Sequence, residues 1–323
     1  MLLFYYKLFF VISNLFLKIF PIIFLLTIIS ACTEKNYALI TNQGEDSLSI
    51  IDLKTLKVIN SIETANKPLS VEMIGNSKAV IASTDGKSLE ILNLKNFEFE
   101  KKINTNFTPL GMAFVAKKNA LYVTSWYESK IYIFDTNSWQ EKGQINVNST
   151  PSGITFNKKH NLIICVSRDE NLMQIIKDDA VIKTVSVGQH PFGITSSGDF
   201  AYSVNVYSDD VTEVNLLDYT KNNFKVGSHP YNAIVYKNKI FVTNTQDDSV
   251  SIVDLMTKKI IQQLLTEEVP ENLDINEDKK LLVVTNWGSN SVSIFNIDTY
   301  EHIKNLETGS ESRSFGNFIW PKR

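Results

Sequence analysis

An all-β protein, a seven-bladed β-propeller closed by its C-terminal strand pairing into the N-terminal blade, is the fold class that the sequence predicts. Three observations predict it. The stretch "VTNTQDDSVSIVDL" (Val242 to Leu255) returns 42 residues later as "VTNWGSNSVSIFNI" (Val284 to Ile297). The polar marker of that phrase recurs along the chain as Asn42, Ser83, Ser125, Ser167, Asn205, Asn244 and Asn286, at intervals of 41, 42, 42, 38, 39 and 42 residues. Ten residues after each comes a second marker, Asp52, Asn93, Asp135, Lys177, Asn215, Asp254 or Asn296, and this offset of 10 never varies. Seven units of about 40 residues with a fixed internal spacing are the signature of a ring of blades.

Each unit supplies its strands in the same order. "ALYVT" (120–124) and "KIFVT" (239–243) are rich in β-branched and aromatic residues. "SVSIVD" alternates with period two, as a strand does. A third run, such as "KKIIQQLL" (258–265), follows a polar turn. A fourth follows a landmark proline, at Pro68, Pro109, Pro151, Pro191, Pro230 and Pro270, with Ser312 in the seventh such place. No stretch after residue 32 shows a helical period. At the N-terminus "NYALITN" (36–42) reads as the second strand of a blade whose first strand is missing, and "RSFGNFI" (313–319) is a post-landmark strand with no unit after it. Pairing the two closes the ring and removes two open sheet edges.

"FVTNTQDDSVSIVD", "VVTNWGSNSVSIFN" and "VGQHPFGIT" resemble the YVTN, or YncE-like, family of β-propeller repeats. The resemblance covers nearly all of residues 36–319 and implies the propeller fold. For function it implies little, because relatives act as binding proteins, surface proteins and parts of redox enzymes. Units two and four depart most: "IASTDGKSLEILN" (81–93) and "ICVSRDENLMQIIK" (164–177) keep the spacing and lose the Val-Thr-Asn wording.

Composition narrows the classes. Hydrophobic residues make up 43% and charged residues 21% of 323, a globular balance. The formal charge of −3 leaves no basic excess to neutralise phosphates, which argues against nucleic acid as a partner. The first 31 residues hold Lys7 and Lys18 and no acid, and the apolar run "IFPIIFLLTII" ends in "SAC". This is a secretory-signal pattern, and "ISAC" resembles the bacterial lipobox, with Cys32 as the lipid-carrying residue. An uncleaved membrane anchor is the alternative, and both place the rest outside the cytoplasm. The expected organisation is a lipoprotein signal peptide at 1–31, a short tether at 32–35, the propeller at 36–319 and a tail at 320–323. Lipidation at Cys32 gives the bilayer as a partner, and Thr33 in place of an aspartate favours the outer membrane over the inner one. Cys165, inside "LIICV", reads as a buried core residue. A monomer is expected.

The candidate site is the mouth of the central channel, where two sets of loops converge. Asp46, Asp209 and Asp248 stand in equivalent places in the first set and read as caps of their own turns, with a cation or amine site as the other reading. Trp126, Tyr127, Tyr207 and Trp287, with Arg168, sit where turn geometry needs no aromatic ring. They could stack on a sugar, a peptide side chain or a cation, or pack between blades. His190 and His229 each precede a landmark proline. Two imidazoles in register could hold a divalent metal or a haem, with Glu271 as a further candidate ligand, or could serve as turn residues bonded to backbone. His160 and His302 read as exposed. Arg313 occupies the place of Phe192 and Tyr231, either to meet an anionic group or to pair with Glu271 in the equivalent position.

No nucleophile elbow, phosphate-cradling glycine loop or Cys-x-x-Cys-His appears. The expected function is therefore a lipid-anchored binding or scaffold protein for a small molecule, a glycan or a protein, with no cofactor. The alternative is a propeller enzyme, either a metal-dependent lactonase-like hydrolase or a haem-associated redox protein.

Overall fold

Each landmark proline opens a strand with at most one exposed residue, and the last strand of each unit is mostly exposed. In the computed structural model, which describes residues 36–321, Pro68–Ile74 has no exposed residue, whereas Lys57–Glu63 is exposed at nearly every position. That gradient sets a radial order, with the post-proline strand innermost. The innermost strands of successive units contact one another in turn. Seven sheets result, six of four strands and one of five. Within a blade the strands follow chain order and pair antiparallel, as in Pro151–Asn157, Leu162–Ser167, Leu172–Lys177 and Ala180–Ser186. The only helical element among the described residues is a single 3₁₀ turn, Ala116–Lys118. The signal segment 1–31, Cys32 and the tether 32–35 lie outside the described residues.

The core lies between blades. Val80, Ala82, Leu89 and Ile91 of the second blade pack with Leu121, Val123, Tyr132 and Phe134 of the third. Phe241, Val250 and Ile252 of the sixth pack with Leu282, Val284 and Phe295 of the seventh. A single blade therefore leaves both faces bare, and this is the physical reason the sequence repeats. Cys165 is fully buried, and burial pushes its thiol up to about 12.

The repeated wording has two structural jobs. The threonine reaches across to the next blade: Thr41, Thr124, Thr243 and Thr285 donate to the backbone carbonyls of Leu69, Ser152, Glu271 and Arg313 at 3.2, 2.8, 2.9 and 2.6 Å. The asparagine works within its own blade. Asn244 Nδ2 donates to Ser249 and Ser251, while its Oδ1 accepts the Gly227 N–H. Asn42 and Asn286 hold the equivalent serine pairs. In units two and four the marker is serine, and the residue seven places on has grown. Glu90 Oε2 accepts the Ala65 N–H at 2.8 Å, and Gln174 Oε1 accepts the Asn148 N–H at 2.8 Å and the Ser167 hydroxyl at 2.9 Å. Ala65, Asn148 and Gly227 each stand three places before a landmark proline, so the same backbone donor is satisfied from either of two strands.

The ring closes through its C-terminal segment, with a detour. Ile319 and Trp320 pair antiparallel with Ala38 and Tyr37, so the pairing takes in Trp320, which the sequence reading left in the tail. Higher on the same strand, Ser312 bridges Asn42 and the Arg313 N–H donates to Thr41 O. Between these points the segment is not the uninterrupted strand expected over 313–319. Phe315–Gly316 swings out and pairs parallel with Ser70 and Val71 of the second blade. Gly316 takes a φ of +113°, and a Cβ there would lie 2.5 Å from Val71 O, so only glycine fits. Two acids hold the detour in place. Asp274 Oδ2 accepts the Phe318 and Ile319 N–H groups, and Glu72 Oε2 accepts Asn317 Nδ2.

Candidate functional site

The residue directly after each landmark is buried or half-buried: Leu69, Leu110, Ser152, Phe192, Tyr231, Glu271 and Arg313. Ser312 to Ser314 supply this position for the N-terminal blade, because Ser314 N donates to Thr41 Oγ1 as Gly111 N does to Thr124 Oγ1. Leu69, Leu110, Phe192 and Phe315 form one apolar cluster with Val206, and Trp126 and Tyr231 pack against it. Phe192 stacks on Tyr231 at 4.2 Å between centroids and meets Phe315 edge-on at 5.2 Å. Phe315 reaches this cluster through the detour of the closing segment. The channel mouth therefore has an aromatic floor.

One arc of the floor is charged. Arg313 Nη2 donates to Glu271 Oε1 at 3.0 Å, the pairing that their equivalent positions suggested. Burial pushes the Glu271 carboxyl up to about 7 from an ordinary 4.5, outweighing the neighbouring guanidinium. The Arg313 guanidinium also lies 5.7 Å from the centre of the Trp287 ring. Glu271 Oε2, Arg313 Nε and Trp287 Nε1 are buried without a hydrogen-bond partner among the described residues.

The rim carries the remaining candidates in two groups. Trp126 stacks on Tyr127 at 5.8 Å and 13°, and Arg168 covers the Trp126 ring at 5.8 Å while its Nε donates to Asp169. Trp126 is half-buried against the floor and Tyr127 is 74% exposed, so the two readings of the aromatics divide between them. The second group centres on Tyr207, itself 60% exposed. His190 stacks on its ring at 4.2 Å, and His229 meets it edge-on at 5.9 Å. Burial and the Arg168 charge hold the His190 imidazole below its usual value, against the opposing pull of Asp169.

The three metal candidates do not converge. Both histidines address one phenol, Glu271 addresses Arg313, and no group of three or more His, Cys, Asp or Glu among the described residues could hold a metal ion. The histidine backbones have a turn role. His190 and His229 take φ of 56° and 49°, and their N–H groups donate to Asn171 Oδ1 and Asp209 Oδ1. The acids differ from expectation in the same way. Asp46, Asp209 and Asp248 accept from the backbone N–H of Lys67, His229 and Val269, each in the loop that leads into the next blade rather than in the acid's own turn. His160 is half-buried rather than exposed, with Nε2 2.6 Å from Asp199 Oδ1, and His302 is exposed.

The sequence reading missed the other end of the channel. There a cavity of about 490 Å³ is lined by Glu72, Phe114, Phe156, Tyr236, Asp274 and Asn276, from the far ends of the innermost strands. The available signal was an acid four places after a landmark, shared by Glu72 and Asp274.

Comparison with solved structures shows the fold. A functionally unknown protein from Desulfotomaculum acetoxidans superposes with a TM-score of 0.74 at 13% identity, over 86% of this chain and 99% of that one. Dihydro-heme d1 dehydrogenase NirN, in complex with DHE, gives 0.67 at 10% identity over 85% and 74%. Kuenenia stuttgartiensis hydrazine synthase gives 0.66 at 14% identity over 76% and 87%. No family model and no curated protein sequence matches the chain. At these identities the seven-bladed propeller is what the chain shares with its structural neighbours.

Proposed function

We propose that the protein is an extracytoplasmic propeller of the YVTN type, lipid-anchored through Cys32, that acts as a binding or scaffold protein at the floored mouth of its channel. The observation that carries the reading is the floor itself. Leu69, Leu110, Phe192 and Phe315 form one apolar cluster with Trp126 and Tyr231 packed against it, and the rings of Tyr127 and Tyr207 are exposed. A ligand at this mouth meets aromatic rings and cations, which suits recognition by stacking and by charge. The alternative, a propeller enzyme with a metal or haem at the mouth, is tested by elemental analysis and an absorption spectrum of the purified protein.

Glycan and peptide arrays test the proposal with the full chain in detergent. A ligand retained by the wild type and lost by Trp126→Ala and Tyr127→Ala supports it. A ligand bound equally by both variants moves the site elsewhere and overturns it.

A further inference from the structure

We propose that the outer edge of the sixth blade is a pairing surface for a second copy of this chain, which adds antiparallel along Lys259–Leu265. The surface is separate from the channel mouth and from any ligand there. In every blade one residue of the outermost strand lies opposite the first residue of the strand inside it. In six blades that residue is polar: Glu63, Asn104, Asn146, Ser186, Lys225 or Glu307. In the sixth blade it is Leu265, opposite Ser249 and 79% exposed. Met256, Ile260 and Ile261 of the same edge are exposed as well. From Ile260 to Thr266 the chain carries no charge. Exposed sheet edges are ordinarily guarded by charged side chains that keep a second strand away, and this one is not.

The backbone of the edge fixes the register. The Thr266 N–H donates to Asp248 O at 2.9 Å. Hydrogen-bonded positions alternate along an antiparallel pair, so Leu264 and Gln262 turn their backbone groups inward to Val250 and Ile252. Gln263 and Leu265 turn theirs outward. Gln262 Nε2 reaches back to Gln263 O at 3.3 Å, a long contact that a partner strand would displace. A two-fold axis at Gln263 sets this residue against its own copy. It also lays Leu265 of each copy over the Ile260–Ile261 bulge of the other. Apolar side chains then meet apolar side chains, and no like charges are opposed. The same operation fails on other edges: on the first blade it would set Glu63 against Ile59, and on the second Lys102 against Lys102. The edge is therefore complementary to itself, which makes a second copy its occupant in place of the monomer expected from the sequence. One strand pair buries less than the roughly 1,200 Å² of a standard stable interface, so the dimer is reversible.

Sedimentation equilibrium of the full chain in density-matched detergent tests the proposal. The wild type should show a monomer and dimer in concentration-dependent balance. Leu265→Glu installs the residue that the first and seventh blades carry at this place, so it should leave the circular dichroism spectrum unchanged. It should weaken the dimer at least tenfold. On mild oxidation Gln263→Cys should cross-link two copies, whereas Ser61→Cys, at the equivalent place on the first blade, should not. A dimer unaffected by Leu265→Glu, or Gln263→Cys cross-linking no more than Ser61→Cys, overturns the proposal. So does a wild type that stays monomeric at every concentration, including one whose edge takes up an extended peptide instead.

Discussion

Glu271 and Arg313 face each other across the closing seam of the ring, 3.0 Å apart and both largely withdrawn from water. One comes from the last complete blade, and the other completes the first. The pair is an ion pair in which burial outweighs attraction at the acid, because Glu271 is held up at about 7.

The sign of the resulting pH dependence is fixed. A carboxyl whose value rises from 4.5 unfolded to about 7 folded binds its proton more tightly in the native state. Its contribution to stability is present below the lower value and is lost as pH rises through the window to the upper one. The melting temperature of Glu271→Gln, compared with wild type from pH 4 to pH 8, should show this decline flattened. An unchanged wild-type slope in the variant would assign the titration to another group.

The two ways of satisfying the loop donor are exchangeable. Asn244→Ala strands the Gly227 N–H and two serine hydroxyls, and should cost about 2–3 kcal/mol in urea denaturation. Asn244→Ser combined with Ser251→Gln imports the arrangement of Ser167 and Gln174. The double variant should be more stable than Asn244→Ser alone. If it is less stable, the two strands do not offer equivalent reach.

Neighbouring innermost strands approach so closely at Gly153 that an added Cβ would lie 2.5 Å from Phe192 O. Gly153→Ala should destabilise by about 2–3 kcal/mol through forced separation of two blades. Gly143→Ala, whose Cβ would meet only Ile133 Cδ1 at 3.6 Å, should leave the denaturation midpoint in place.

Legibility in the sequence followed locality. The blade count and strand order were readable because they rest on a period that survives when the wording drifts, as it does between Ser83 and Asn93. The Glu271–Arg313 pair was readable because equivalent positions in neighbouring repeats must be neighbours at the axis. The detour of Phe315 and Gly316 was not, since it depends on an axial cavity fitting one ring and on two distant acids, Glu72 and Asp274, capturing backbone and amide donors. The placing of Tyr207 against both His190 and His229 was hidden for a related reason: register puts loops side by side and does not say which side chain fills the gap.

The hydrogen bonds that stitch Ser314 to Thr41 span 273 positions of chain, although Trp320 and Tyr37 are direct partners across the seam. The molecule thus has a first and a last blade only in the order of its translation, not in its geometry. Joining residue 321 to residue 36 and cutting the backbone at an outer loop would leave the same strand pairings, with the seam contacts now made by sequence neighbours. The long-range closure of such a chain would move to the cut, where two whole blades pack side by side instead of two chain ends sharing one sheet.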